Sequence, residues 1–405
     1  MDSLTQIVLG AAVGEIALGR KIGNRALIWG GIGGTIPDLD VLANFFMDSI
    51  DALAFHRGIS HSIVFSILMP LILAWLVHNT YSRKIHKTWP YKIVITLLNA
   101  AILVSLVWGI NYIFMKDGVI RWWLLIVTGM LAVYLLWRLY KFYLRKDLEE
   151  PQASFREWYW LFFVALFTHW ILDCFTAFGT QIFMPFSNIR VAFNNIAVVD
   201  PIYTIPFLIC VIFVSTLKRG TKKRAFFNWL GIGISSFYML LTIFNKFHVD
   251  NVFDKALHNR QLDVERCHCS PTILNNILWS CVAEAKDEFY VGQYSIFDSN
   301  PDLHHLNVIT KNDSIHQAFL PYEDYQTLLW FSNNHLVAFP TDSVVILSDV
   351  RYGGMQDTIR GPKDLIFNFE VHEENGEKVF TESRDRPEGD LGEQLQKFIK
   401  RMKGY

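Results

Sequence analysis

Charge is scarce in this 405-residue chain: Asp, Glu, Lys and Arg make up 19% of it, and they nearly cancel, to a net −1. No run of one sign is long enough to point to a nucleic-acid partner. Cysteine is scarce as well. Five (174, 210, 267, 269 and 281) give no paired framework, and Cys174 and Cys210 lie in apolar segments, as buried thiols do. A basic region before the first apolar stretch is missing, because the chain opens Met1-Asp2-Ser3 and its first basic cluster is Arg20, Lys21 and Arg25. That stretch is therefore expected to be retained and not cleaved as a signal. Internal repeats and low-complexity tracts are also lacking. What is abundant is apolar and aromatic: 52% hydrophobic residues, with 32 Phe and 13 Trp. Such a composition is abnormal for a soluble enzyme of this size.

The apolar residues come in blocks before about residue 247. Stretches 62–78, 93–115, 122–140, 157–178, 202–217 and 226–246 approach the roughly 20 residues that cross about 30 Å of hydrocarbon. Stretches 4–19 and 26–36 are short and Gly-rich, with Gly30, Gly31, Gly33 and Gly34. They form either two short packed helices or a re-entrant pair that never meets lipid. The expected fold is an α-helical polytopic membrane bundle of about six to eight membrane segments with a C-terminal α+β soluble domain. The basic connections 20–25, 79–92, 141–156 and 218–224 should face the cytoplasm. Connections 37–61, 116–121 and 179–201, and everything after 247, are then exterior. Residues 1–247 make the membrane domain and 248–405 the extracytoplasmic one. In the latter, 288–297, 343–349 and 365–371 have strand composition, and 390–402 reads as an amphipathic helix.

Three polar clusters interrupt the membrane half. Asp38 and Asp40 follow Pro37. His56, Arg57, Ser60 and His61 lead into an apolar span. His169 and Asp173 lie inside another span, four residues apart and so on one helix face. Ionisable groups within a membrane helix are costly, so they persist with partners or function. All three clusters fall on the exterior side of a topology derived from Lys and Arg alone, as do Asp2 and Asp200. If they meet, the carboxylate and imidazole ligands suit one or two divalent ions, zinc foremost, or manganese or iron. Metal ligands would be Asp38, Asp40, His56, His61, His169 and Asp173. His56 and Arg57 are the catalytic candidates, Arg57 because a guanidinium suits a phosphate oxygen. Each cluster also has a plainer explanation: Asp-Leu-Asp as a turn and cap, the histidines as interfacial residues, His169 and Asp173 as a helix-joining hydrogen bond. Cys267-His268-Cys269 lacks a second pair with zinc spacing, so a disulfide or plain surface residues are expected there, and His304 and His305 read as surface residues.

These residues also carry a resemblance. Met1 to Gln6, Gly33 to Asp40, the run His56-Arg57-Gly58-Ile59-Ser60-His61-Ser62, His169 to Thr180 and Val199 to Thr204 resemble the YdjM-type family of membrane-bound metal-dependent hydrolases of bacterial inner membranes. The resemblance implies a bacterial hydrolase whose metal site is the six residues above. It departs at Gln6, where the family pattern has His, so Gln6 is left out of the ligand set. The order Asp, His, then His-x-x-x-Asp is more distantly similar to zinc-dependent phospholipases C and single-strand nucleases. The function expected is hydrolysis of a lipid or lipid-linked phosphoester at the exterior membrane face, with the bilayer and an amphiphilic substrate as partners. An ion- or proton-coupled transporter is the alternative, but it needs a polar path to the cytoplasmic face, where the spans offer little beyond Asn99 and Ser105. A non-catalytic membrane protein with packing His and Asp clusters is the third possibility.

Overall fold

Two small-residue helices open the chain in the computed structural model, which describes residues 1–115, 121–144, 150–300, 302–303, 305–341, 344–354, 356–374, 376–383 and 391–404. Helix α1 (Ser3–Ile22) is capped by Asp2, whose carboxylate accepts the Thr5 amide at 3.0 Å. Gly23, at φ +62°, turns the chain into α2 (Asn24–Thr35). The two helices touch through glycine: a Cβ on Gly30 would stand 2.9 Å from Cα of Gly14, closer than real Cβ atoms come. The Gly-rich stretches are thus a packed helical hairpin, permitted by the missing side chains.

A 3-10 segment, Pro37–Phe45, follows, then α3 (Ser49–Phe55), a short turn over Ile59–His61, and α4 (Ile63–Ser82). Helices α5 (Trp89–Phe114), α6 (Trp122–Leu139), α7 (Phe155–Cys174), α8 (Pro201–Thr216) and α9 (Lys222–Asn259) complete the helical part. The chain divides into two compact units, Leu71–Tyr159 on one side and Met1–Pro70 with Trp160–Tyr405 on the other. In the smaller unit Asn111 of α5 donates to Thr128 of α6 at 3.0 Å. The connection expected at 116–121 lies, apart from Arg121, outside the described residues, as do Arg145, Lys146 and His304.

Six to eight spans are more than the structure supports. Among the described residues, four helices are long and apolar enough to cross a membrane: Ile63–Ser82, Trp89–Gly109, Trp122–Leu139 and Lys222–Asn259, with Pro201–Thr216 a shorter apolar helix. The others fall away for reasons of chemistry. Glycines dilute α1 and α2, and α7 carries Arg156, Glu157, His169 and Asp173. Arg224, counted above among loop charges, is also different in place. It is buried and bound to Glu15, with Nε–Oε1 and Nη2–Oε2 both 2.7 Å.

Helix α9 runs through residue 247 without a break. Its last turns, with Val249, Val252, Phe253, Ala256 and Leu257, pack on Trp279, Cys281 and Tyr294 of the first sheet. That sheet is an antiparallel meander of β1 (Arg266–Pro271), β2 (Leu278–Glu284), β3 (Glu288–Ser295) and β4 (Leu306–Thr310). Helices α10 (Asp313–Phe319) and α11 (Glu323–Phe331) lead to a second meander, β5 (Leu336–Pro340), β6 (Val345–Asp349), β7 (Asn368–Glu374) and β8 (Glu377–Glu382), and α12 (Leu391–Met402) ends it. The α+β expectation is met at all three anticipated strands and at the terminal helix. The disulfide expected as one reading of Cys267-His268-Cys269 is present at Cys269, which faces Cys281 across β1 and β2 and is bonded to it. Pairing depends on strand register, which Cys spacing does not encode. Helix α3 plugs the second core, with Ile50 packed among Phe331, Leu347 and Phe369. The site-bearing segment after α2 is thereby pinned to the C-terminal domain.

Candidate metal centre

Four side chains from three segments converge. Asp38 comes from the 3-10 segment after α2, His61 from the turn before α4, and His169 and Asp173 from one face of α7. One ligand atom from each lies within 4.8 Å of all the others. His61 Nε2 is 3.5 Å from Asp38 Oδ1 and 3.3 Å from Asp173 Oδ2; His169 Nε2 is 3.5 Å and 3.2 Å from the same two oxygens. Atoms bonded to one tetrahedral ion at about 2.0–2.2 Å stand about 3.3–3.5 Å apart. Three of the four atoms, His61 Nε2, His169 Nε2 and Asp173 Oδ2, are buried and have no hydrogen-bond partner. Buried polar atoms are nearly always paired, so three unpaired ones aimed at a common point call for an occupant.

The other end of each side chain is anchored. Nδ1 of His169 donates to the Gly34 carbonyl at 2.6 Å, which places the proton on Nδ1 and the lone pair on Nε2. Nδ1 of His61 lies 3.0 Å from Ser60 Oγ and 3.3 Å from Asp40 Oδ2. Ser3 Oγ donates to Asp38 Oδ2 at 2.9 Å, leaving Oδ1 for the centre. Asp173 Oδ1 is met by the Met1 amino group, by Gln6 Nε2 at 3.1 Å and by Arg57 Nη2 at 3.5 Å. Such outer partners fix the tautomer and direction of metal-binding groups.

Asp40 and His56 stand one layer behind the four. Asp40 accepts from His56 Nδ1 at 2.8 Å, the Arg57 amide at 2.8 Å and Ser60 Oγ at 3.2 Å. Burial alone would raise its pKa, but the hydrogen bonds from His56 and His61 outweigh it and hold the carboxyl well below its usual range. Around His61 the balance runs the other way: burial disfavours its charged form, yet Asp173, Asp38 and Asp40 push its pKa up to about 10. The three carboxylates around His61 thus favour positive charge at that position. Of the four, Asp38 keeps some exposure, 12%, so access is past Asp38.

Arg57 is buried at φ +57°, with Nη1 2.7 Å from Thr176 Oγ1 and its guanidinium 4.9 Å from the Phe178 ring centroid. Asp2 and Asp200 lie outside the cluster and cap α1 and α8; Asp200 accepts the Ile202 and Tyr203 amides and the Tyr238 hydroxyl. Sequence reasoning missed Ser3, Gln6 and Thr176 as supports. Gln6 was visible as a departure from a pattern, and Ser3 and Thr176 lie within the runs that carried the resemblance.

A helical membrane protein with a buried Asp/His centre suited to a divalent cation is the class that fold and site define. The chain belongs to the family described as YdjM inner membrane protein, which matches residues 1–249. No curated protein and no solved structure matches it.

Proposed function

We propose that the protein is a membrane-embedded metal-dependent hydrolase acting on a lipid or lipid-linked phosphoester at the extracytoplasmic face of the bacterial inner membrane. The convergence of unpaired, buried Nε2 and Oδ2 atoms at ligand spacing carries this reading. Asp38, His61, His169 and Asp173 hold one divalent ion, zinc by its fit to mixed nitrogen and oxygen ligands. Such an ion supplies a nucleophile from water at neutral pH and polarises a phosphoryl oxygen.

The chain's own residues divide the remaining work. Asp40 orients His61. His56, with Nδ1 held by Asp40 and its side chain 30% exposed, is placed to hand a proton to a leaving group. Arg57 has its terminal nitrogens engaged by Asp173 and Thr176, so it acts on the centre through Asp173, as a positioning residue. An apolar groove of about 540 Å³ among α1, α2 and α8 reaches Ile36 and Leu39, the latter next to Asp38, and fits an acyl chain. The Cys269–Cys281 disulfide favours an oxidising compartment, hence an extracytoplasmic domain over 248–405 beyond a multi-pass membrane domain over 1–247.

Elemental analysis of detergent-purified protein tests the centre, alongside His169→Ala/Asp173→Ala checked for matched folding. Stoichiometric metal in the native protein and its loss in the variant are expected, together with loss of phosphoester hydrolysis in mixed lipid micelles. A native protein that neither carries metal nor accepts it on reloading would sink the hydrolase.

A further inference from the structure

A second polar cavity, of about 350 Å³, opens where residues 177–194 meet the C-terminal domain. Arg190 lines it. The guanidinium is enclosed by aromatic rings, 4.7 Å from the centroid of Phe178, 5.1 Å from Trp330 and 4.5 Å from Phe331. Nη2 donates to the Phe178 carbonyl, but Nε and Nη1 are buried with no partner. Among the described residues no carboxylate pairs with Arg190. Arg351, on the same cavity wall, is neutralised by Asp349, with Nη2–Oδ2 2.6 Å. Burial lowers the Arg190 pKa to about 9, with Arg351 and Arg57 adding to it and Tyr352 and Asp349 opposing it, so the side chain is still a cation at neutral pH. A guanidinium withdrawn from water, with two idle donors and its nearby carboxylate, Asp349, bonded to Arg351, has room for an anion of its own. His268 Nε2 and Asn194 Oδ1 line the same cavity, also buried and unpaired.

We propose that this cavity is an oxyanion subsite, in which an idle N–H of Arg190 receives a phosphate oxygen. The fork nitrogen Nη2 is spent on the Phe178 carbonyl, and the Nε and Nη1 donors diverge, so each offers a single charge-assisted contact to an anion. The subsite adjoins the metal centre through Phe178: its ring contacts Arg190, carries Arg57 at 4.9 Å and lies 5.2 Å from the His56 ring. Resting on the hydrolase reading for what is cleaved, the subsite narrows the substrate to a lipid phosphoester with a second anionic group in its headgroup. Zwitterionic and neutral headgroups would leave Arg190 unpaired and be poorer substrates.

The test titrates inorganic phosphate into full-length, detergent-solubilised protein by calorimetry, after chelator treatment so that no metal can serve as the anion's partner. Native protein is expected to bind phosphate. Arg190→Gln should weaken that binding at least tenfold, and Arg190→Lys, which keeps the charge, should weaken it less. Both variants should retain native metal content when metal is restored. Absence of phosphate binding to native protein overturns the subsite, as does unchanged affinity in Arg190→Gln. If Arg190→Gln does not fold, Arg190→Met takes its place, with the same loss expected and the same unchanged affinity overturning the subsite. Phosphatidylglycerol phosphate, whose headgroup carries a second phosphate, should compete with inorganic phosphate in dodecylmaltoside micelles; no competition overturns the headgroup assignment and leaves free phosphate as the ligand. Phosphate bound by a protein that takes no metal would sink the hydrolase alone, and metal without phosphate binding would sink the subsite alone.

Discussion

Two buried ionic constellations in the helical part of the chain are built on opposite terms. Glu15 and Arg224 close on each other. Both carboxylate oxygens receive a guanidinium nitrogen, and Nη1 goes to Asn24 Oδ1 and to the Val214 and Leu217 carbonyls at 2.7, 3.0 and 2.8 Å. All three nitrogens are engaged. In the Asp38, His61, His169 and Asp173 set each residue is tied at one end and open at the other, and the open ends face one another. A pair that serves packing consumes its own valence; a binding centre holds some in reserve. Polar residues in a membrane segment can thus be sorted by which atoms remain idle, not by their mere presence.

The contrast breaks or sharpens under substitution. The largest effect should come from Arg224→Ala, which strands the Glu15 carboxylate and should cost about 3–5 kcal/mol, read from denaturant unfolding. The paired apolar replacement Glu15→Leu/Arg224→Met should recover most of it, and metal per folded molecule should stay native in both. Metal loss from a stable Arg224→Ala protein would erase the distinction. Next comes Asp40→Asn, which loosens His61 without removing a ligand. Its metal affinity should fall about 10–100-fold by chelator competition, with unfolding midpoint little changed in the chelated state. Unaltered affinity would make Asp40 a turn residue and nothing more.

The smallest effect concerns a histidine outside the centre, whose ring lies 5.9 Å from that of another histidine, His268. His335, in the C-terminal domain, is buried with Nε2 unpaired, and burial lowers its pKa to about 4. The unfolded chain takes up this proton near pH 6.5 and the folded one only near 4. Stability is therefore complete above 6.5 and declines as pH falls between the two values. The loss should be about 2 kcal/mol from pH 6.5 to 5, and His335→Gln should flatten that limb of the pH–stability curve. A limb unchanged in the variant would assign it to other groups.

Much of the candidate metal centre was legible because its residue types are out of place in an apolar context, and because His169 and Asp173 share a helix face. The layering was not. Asp38 and Asp40 are two residues apart and look equivalent, yet the 3-10 path sends Asp38 to the centre and Asp40 to His56 and the Arg57 amide. Arg190 could not be read at all, since nothing local marks an Arg whose aromatic neighbours come from residues 178, 330 and 331. The spans were overcounted for a different reason: α7 reads as apolar over its length yet carries Arg156, Glu157, His169 and Asp173, and the helix over Pro201–Thr216 is short.

Helix α9 is 38 residues long, about 57 Å at the usual rise, against about 30 Å of hydrocarbon. Its first turn holds the Glu15 pair and its last turns form part of the β-domain core. The domain is therefore grafted and not tethered. A flexible linker would let it roam a hemisphere above its anchor, whereas a continuous helix transmits tilt and rotation like a shaft. Any change of angle at the buried Arg224 end reappears, amplified by the length of the rod, at the far end.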